Sequence, residues 1–232
     1  GGGHNGLVAA CVLSKKGKKV LVIEKNEKLG GLANYVESLS DISQEILKEL
    51  NITVEKNISD NFVCALSEDL NHTVLKINGS KNIQFLKTSA SDSDQKSFIN
   101  LVNKYDLFAR TLRSFMFKNP PRVKSGSRSD MWQLFSMGFK VRRLGKKNMR
   151  ELLRVIGLNI ADDLEDNIEN NTLRGLMSNE AVIGTNLGAR SPGSILNLLY
   201  NQATNNSLFR INKFNTSSFL TSVEDICKKN NV

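Results

Sequence analysis

Cysteine, histidine and long apolar runs are all scarce in this sequence of 232 residues. The three cysteines, Cys11, Cys64 and Cys227, are far apart and match neither a disulfide framework nor the spacing of zinc ligands. No run approaches the roughly 20 apolar residues of a membrane-spanning helix, and the first residues do not form a signal peptide. We therefore expect no metal site, buried thiols, and a cytoplasmic or organelle-matrix location with membrane association left open.

The net charge of the whole chain is +9, and much of the positive charge lies in one stretch that is nearly free of acidic residues. Between Lys118 and Arg150, Asp130 is the single acid among ten bases. The ten are Lys118, Arg122, Lys124, Arg128, Lys140, Arg142, Arg143, Lys146, Lys147 and Arg150. Clustered cations favour phosphates, but the stretch has no nucleic-acid recognition module, so we expect no nucleic-acid binding. Its segment 131–143 interleaves aromatic and basic residues, which is typical of a core helix with a basic rim or of a peripheral membrane contact.

The first glycines have the spacing of a dinucleotide-binding turn. Gly1, Gly3 and Gly6 give G-x-G-x-x-G, and apolar residues then recur at helical spacing. Val20–Ile23 is a continuous apolar run, which predicts a buried parallel strand. Glu24 follows about 20 residues after the glycines, where a carboxylate can accept hydrogen bonds from ribose hydroxyls. Turn, helix, strand and acid therefore occur in the order that dinucleotide binding requires.

Each glycine of such a turn has a local task. One permits the tight turn, one lets the main chain approach the pyrophosphate, and one lets the helix pack closely on the strand, while the helix N-terminus is partly positive. A glycine-rich turn without a ligand is the alternative, but it does not explain the helix, the strand and the acid together. Because such a turn follows the central strand of a sheet, we also expect a strand before Gly1 and a longer parent chain.

The middle of the chain changes from strand to helix periodicity. Three short apolar runs predict an antiparallel meander, and Asn78-Gly79 between the last two is a hairpin signal. The runs are 62–66, 73–77 and 83–86. From about Ser91 apolar residues recur at helical spacing, so a mostly helical region is predicted to about Ala203. Residues 219–227 predict one more amphipathic helix.

Two stretches resemble one family. The opening "GGGHNGLVAA", then Glu24 and a second glycine pair, Gly30 and Gly31, resemble the extended fingerprint of the phytoene-desaturase-like NAD(P)/FAD-dependent oxidoreductases. Residues 137–194, which include Gly184-Thr185 and Arg190-Ser191-Pro192-Gly193, resemble the helical substrate domain of one branch of that family. A simple NAD dehydrogenase does not need the second glycine pair, so the resemblance favours FAD as the cofactor.

The resemblance implies an α/β flavoprotein. It would have a Rossmann-type FAD-binding domain without its first strand, an antiparallel sheet and a mostly helical substrate or cap domain. The implied boundaries are 1–60 for the FAD-binding part, 61–90 for the antiparallel strands, 91–205 for the helical domain and 206–232 for the return to the FAD-binding domain. The implied FAD contacts are Gly1, Gly3, Gly6, Gly30 and Gly31 to the pyrophosphate, Glu24 to the ribose and Lys25 to the adenine edge.

The family's activity is the removal of hydride equivalents from small molecules such as carotenoids or amines, with the flavin supplying the chemistry. The resemblance therefore implies a small, apolar or amine substrate, and it assigns no catalytic side chain. One position departs from the family pattern, because Asn215-Thr216-Ser217-Ser218 stands where relatives have a Pro-x-Gly-Gly turn. A binding or regulatory protein that keeps the scaffold without turnover is thus the alternative function.

Overall fold

The computed structural model describes residues 1–39, 42–54, 61–78, 82–116, 118–205, 208–209 and 213–232. The helices are α1 (His4–Lys15), α2 (Gln44–Leu50), α3 (Asp92–Met116), α4 (Arg128–Arg142), α5 (Gly145–Val155), α6 (Ile160–Glu165), α7 (Asn171–Val182), α8 (Ser194–Asn205) and α9 (Thr216–Lys229). The strands are β1 (Ser38–Leu39), β2 (Phe62–Ala65), β3 (Thr73–Asn78), β4 (Asn82–Lys87) and β5 (Phe214–Asn215), and Gly31–Tyr35 is a short 3₁₀ helix. The chain divides into two units, one formed by residues 1–59 with 210–232 and one by residues 60–209.

The first unit is built from both ends of the chain. Helices α1 and α9 pack together, and β1 pairs antiparallel with β5, with Ser38 opposite Asn215. The core between these elements includes Leu7, Leu47, Leu50, Phe214, Phe219 and Val223. The amphipathic pattern predicted at 219–227 is confirmed, because α9 buries Phe219, Leu220, Val223 and Cys227.

Two of the three thiols meet inside this core. The Sγ atoms of Cys11 and Cys227 lie 3.4 Å apart, and the Cys11 thiol donates to the Val223 carbonyl at 3.3 Å. Burial, together with the neighbouring Cys227, raises the pKa of Cys11 to about 12, so this thiol stays protonated at neutral pH. Cys64 is exposed. The expectation of buried thiols is therefore wrong for Cys64, which lies on the antiparallel strand β2 and not in a core.

The second unit combines a small sheet with helices, and its elements follow the sequence pattern closely. Strands β2, β3 and β4 form the predicted antiparallel meander, and Val63 lies opposite Leu75, which lies opposite Phe85. Gly79 of the predicted hairpin turn lies outside the described residues. Helix α3 packs against α8 and buries Phe98 and Tyr105 on its predicted apolar face. Over the described ranges, we find no helix with both the length and the apolar character to cross a membrane.

Three helices of the second unit, α3, α5 and α6, are joined by an ionic cluster. The Asp163 carboxylate, whose side chain is 0% exposed, accepts hydrogen bonds from Lys104 Nζ at 2.9 Å and Arg154 Nη2 at 2.8 Å. The Tyr105 hydroxyl also donates to it at 2.5 Å. Burial opposes the charge of Asp163, but the hydrogen bonds from Tyr105 and Lys104 outweigh burial, and the pKa of this carboxyl lies below its ordinary value. The cluster thus holds a buried anion in place with three donors.

Candidate dinucleotide-binding site

The first glycine turn leads directly into α1. Gly3 caps the helix with an extended backbone, φ −70° and ψ 167°, and the first helical hydrogen bond runs from Leu7 N to Gly3 O at 2.9 Å. The amides of residues 4–6 precede that bond and have no partner within the helix. The first turn of α1 contains no acidic residue. This helix start therefore has the exposed amides and the partial positive charge that favour a phosphate group.

The second glycine pair lies against the first turn. Gly30 N donates to Gly2 O at 2.7 Å, and Gly3 and Gly30 form a parallel bridge. Gly31 has φ +56°, and a Cβ atom added there would lie 3.1 Å from the Cα of Gly3. A side chain at this position would therefore meet both backbone strain and a main-chain neighbour. The sequence predicted the two glycine segments separately, and the structure places them in direct contact.

Glu24 lies at the mouth of the first turn. Its Oε2 accepts a hydrogen bond from Gly2 N at 2.5 Å, and its Oε1 accepts one from Asn26 N at 3.1 Å. These two backbone amides, Asn26 first and then Gly2, lower the pKa of the Glu24 carboxyl. The side chain is therefore an anion at neutral pH and is held next to the loop. Lys25, the next residue, is exposed.

The segment between α1 and Glu24 differs from its prediction. Residues 20–23 were expected to form a buried parallel strand, but among the described residues no strand pairs with them. Val20 and Val22 pack on the core of the first unit, whereas Leu21 and Ile23 are 82% and 74% exposed. The prediction of a buried strand is therefore wrong for this structure. A parallel strand needs neighbouring strands to supply its hydrogen bonds and to cover both of its faces, and the described residues supply one covered side only.

A cavity of about 850 Å³ opens beside the second glycine pair. Its walls come from residues 27–37 and from residues 215–224 at the start of α9, all within the first unit. Glu27, Glu37 and Glu224 contribute three carboxylates to its lining and Lys28 contributes one cation, so the lining is negative overall. Since carboxylates repel phosphates and attract cations and hydroxyl groups, the cavity suits an amine or hydroxyl group better than a phosphate.

The start of α9 holds, beside this cavity, a buried polar atom that has no partner among the described residues. The Asn215 side chain caps the helix by accepting a hydrogen bond from Ser218 N at 2.9 Å. Thr216, which is 3% exposed, lines the cavity, and its Oγ1 has no hydrogen-bond partner among the described residues. Sequence reasoning recognised these residues only as a departure from a family pattern. Asn215 three residues before Ser218 is a helix-capping pattern, and it was the available signal that a helix starts here.

A comparison with protein families agrees with the geometry of the turn. Residues 1–47 match the model of the NAD(P)-binding Rossmann-like domain, and this match includes both glycine segments and Glu24. It covers about a fifth of the chain. The match supports an α/β protein with a dinucleotide cofactor and an oxidoreductase type of function. No curated protein and no solved structure matches this chain.

Proposed function

We propose that this protein is an FAD-dependent oxidoreductase of the phytoene-desaturase-like class. Within that class it resembles the branch called pyridine nucleotide-disulfide oxidoreductase domain-containing protein 2. It removes hydride equivalents from a small apolar or amine substrate. The observation that carries this proposal is the meeting of Gly2, Glu24 and Gly30 at one point, because it puts two glycine segments and an acid around the start of α1.

The residues present fit a flavin dinucleotide. A Cβ atom added at Gly3 would have no neighbour within 4 Å, so there is open space on the ligand side of the turn. The pyrophosphate would lie against Gly1, Gly3 and the amides that begin α1. The cavity lies next to the second glycine pair, since Leu29 and Ala33 both line it.

Each part of the site has a defined task. The amides at the start of α1 donate hydrogen bonds to the diphosphate. Glu24 accepts hydrogen bonds from the ribose hydroxyls and repels a 2′-phosphate. A flavin held by these residues would supply the hydride-accepting chemistry. The carboxylates of Glu27, Glu37 and Glu224 orient the amine of a substrate in the cavity. The side chain of Leu220, which also lines the cavity, excludes water from part of its wall.

The test is cofactor binding by the full chain and by a Glu24→Gln variant. Glutamine keeps the shape of the side chain but removes the charge that strengthens the hydrogen bonds to ribose. Hydrogen bonds to a charged group contribute about 1.5–3 kcal/mol, so FAD affinity falls by about 12-fold to 150-fold. The measurement is a titration followed by flavin fluorescence, with flavin absorbance bands expected in the purified protein.

The matched control is Glu49→Gln in the same unit. Glu49 forms an exposed ion pair with Lys16 at 3.6 Å, and such pairs contribute little. This variant keeps the affinity of the unchanged protein. A protein that binds NADH or NADPH but not FAD contradicts the flavin assignment, and one that binds no dinucleotide contradicts the whole proposal.

The second candidate is a binding or regulatory protein on the same scaffold. It is favoured by Ser217, which lines the cavity at a position where relatives have glycine. Side chains there narrow the space next to a flavin ring. Protein that binds FAD tightly, yet leaves the flavin oxidised in the presence of a panel of amines and carotenoids, would favour this candidate over the enzyme.

A further inference from the structure

Helix α4 carries a row of exposed aromatic side chains. Trp132, Phe135 and Phe139 are 70%, 65% and 53% exposed. Their rings stack in sequence, with centroids 5.8 Å apart for the first pair and 6.4 Å apart for the second. No residue of α4 is buried. The helix is therefore not the core helix that one interpretation of its sequence predicted, and more than half of each ring in its aromatic row is exposed.

Arginines extend this row at both ends. Arg128 lies four residues before Trp132, and Arg142 and Arg143 lie three and four residues after Phe139, so all three fall on the same helix face. All three are exposed. Helix α5 continues the positive charge with the exposed bases Lys146, Lys147 and Arg150. The surface is thus an apolar stripe bordered by cations.

We propose that this face of α4 docks flat on the surface of an anionic lipid bilayer. The aromatic rings enter the boundary between headgroups and acyl chains, and the arginines contact the anionic headgroups. A helix that lies in this plane needs apolar side chains on one face and cations close to that face, and α4 has both. This inference does not depend on the bound cofactor, so it can fail while the proposed function holds.

The charges and the apolar side chains of this face argue against two other occupants. A second copy of the chain would bring the same cations to the same place, and like charges in contact repel. A single-stranded nucleic acid would satisfy the cations and stack on the rings. It would leave the aliphatic side chain of Met131, which is 65% exposed beside the aromatic row, without an apolar partner. A bilayer satisfies all of these groups at once.

Trp132 makes the proposal directly measurable, because it is the single tryptophan of the sequence. The full chain is mixed with vesicles of phosphatidylcholine alone or of phosphatidylcholine and phosphatidylserine in equal parts. We expect co-sedimentation with the anionic vesicles, a shift of the tryptophan emission to shorter wavelength, and protection from acrylamide quenching. Added salt weakens the binding because it screens the charges.

Variants separate the contributions of charge and of apolar contact. Each cation near an anionic surface strengthens binding about fivefold, so Arg142→Gln with Arg143→Gln lowers the partition coefficient about 25-fold. Phe135→Ser lowers it about tenfold or more through lost apolar burial. The matched controls are Lys87→Gln with Lys96→Gln for charge and Tyr200→Ser for an exposed aromatic ring. These controls keep the binding of the unchanged protein, and circular dichroism confirms that every variant is folded.

Four results would overturn the proposal. The first is no binding to anionic vesicles, or binding without a change in Trp132 emission. The second is equal binding to neutral vesicles, since the arginines would then have no role. The third is a loss of binding in the control variants as large as the loss in the Arg142, Arg143 and Phe135 variants. The fourth is a different occupant: tighter binding to a single-stranded oligonucleotide, or self-association that Phe135→Ser abolishes.

Discussion

Replacing Gly3 with alanine separates the binding role of the glycine turn from its folding role. Gly3 has φ −70° and ψ 167°, which alanine adopts readily, and its added Cβ would have no neighbour within 4 Å. Alanine is a poorer helix cap than glycine, but it restricts the unfolded chain more, so stability changes by less than about 1 kcal/mol. The new methyl group occupies the space that a diphosphate needs. Overpacking of about 1–3 kcal/mol then lowers FAD affinity about fivefold to 150-fold.

Gly31→Ala is the complementary variant, because we expect it to lower stability, whereas Gly3→Ala lowers FAD affinity. Its φ of +56° costs alanine about 1–2 kcal/mol, and its Cβ would lie 3.1 Å from the Cα of Gly3. This variant loses about 2–3 kcal/mol of unfolding free energy. Urea unfolding followed by circular dichroism measures stability, and flavin fluorescence measures affinity. Unchanged FAD affinity in Gly3→Ala would refute the placement of the diphosphate, and unchanged stability in Gly31→Ala would refute the contact between the glycine segments.

Two further predictions concern buried polar groups. Asp163→Asn removes the anion from the ionic cluster and costs about 2–3 kcal/mol at neutral pH, because the buried Tyr105 hydroxyl and two cations lose a charged acceptor. The pKa of Asp163 is lower in the folded state than in the unfolded chain, where it is about 3.9. The stability that the ionised carboxylate contributes is therefore complete above the unfolded pKa and is lost as the pH falls towards the folded value. The unfolding free energies of the variant and of the unchanged protein consequently converge at acidic pH. Thr216→Val removes a buried hydroxyl without a partner, so the ligand-free protein melts at the same or a higher temperature. A lower melting temperature of this variant would show that the hydroxyl has a partner in the folded protein.

Local periodicity was sufficient to predict much of the fold. The helix after the glycines, the meander of β2 to β4 and the buried face of α3 all follow from spacing within one segment. Helix α4 was also predicted in nearly the right place, at 131–143 against an observed Arg128–Arg142. What spacing could not decide is whether its aromatic side chains are covered, since that depends on what other segments pack against the helix.

Contacts between distant segments account for what the sequence did not predict. The burial of residues 20–23 depends on neighbouring strands, which the apolar run itself cannot reveal. The hydrogen bond from Gly30 to the carbonyl of Gly2, and the cavity wall formed by Thr216, depend on how residues far apart in sequence come together. The sequence therefore predicted the glycines and the acid of the candidate site. It did not predict the cavity wall at the start of α9.

The contact between Cys11 and Cys227 joins residues that are 216 positions apart. During synthesis on the ribosome, α1 and the glycine turn emerge long before α9, the helix that covers them. The intervening residues 60–209 form their own unit and can fold while α1 still lacks its partner. Long-range contacts of this kind slow folding and leave apolar surface open to chaperones. The nucleotide loop and α1 therefore gain their apolar cover only after residues 216–229 have been synthesised.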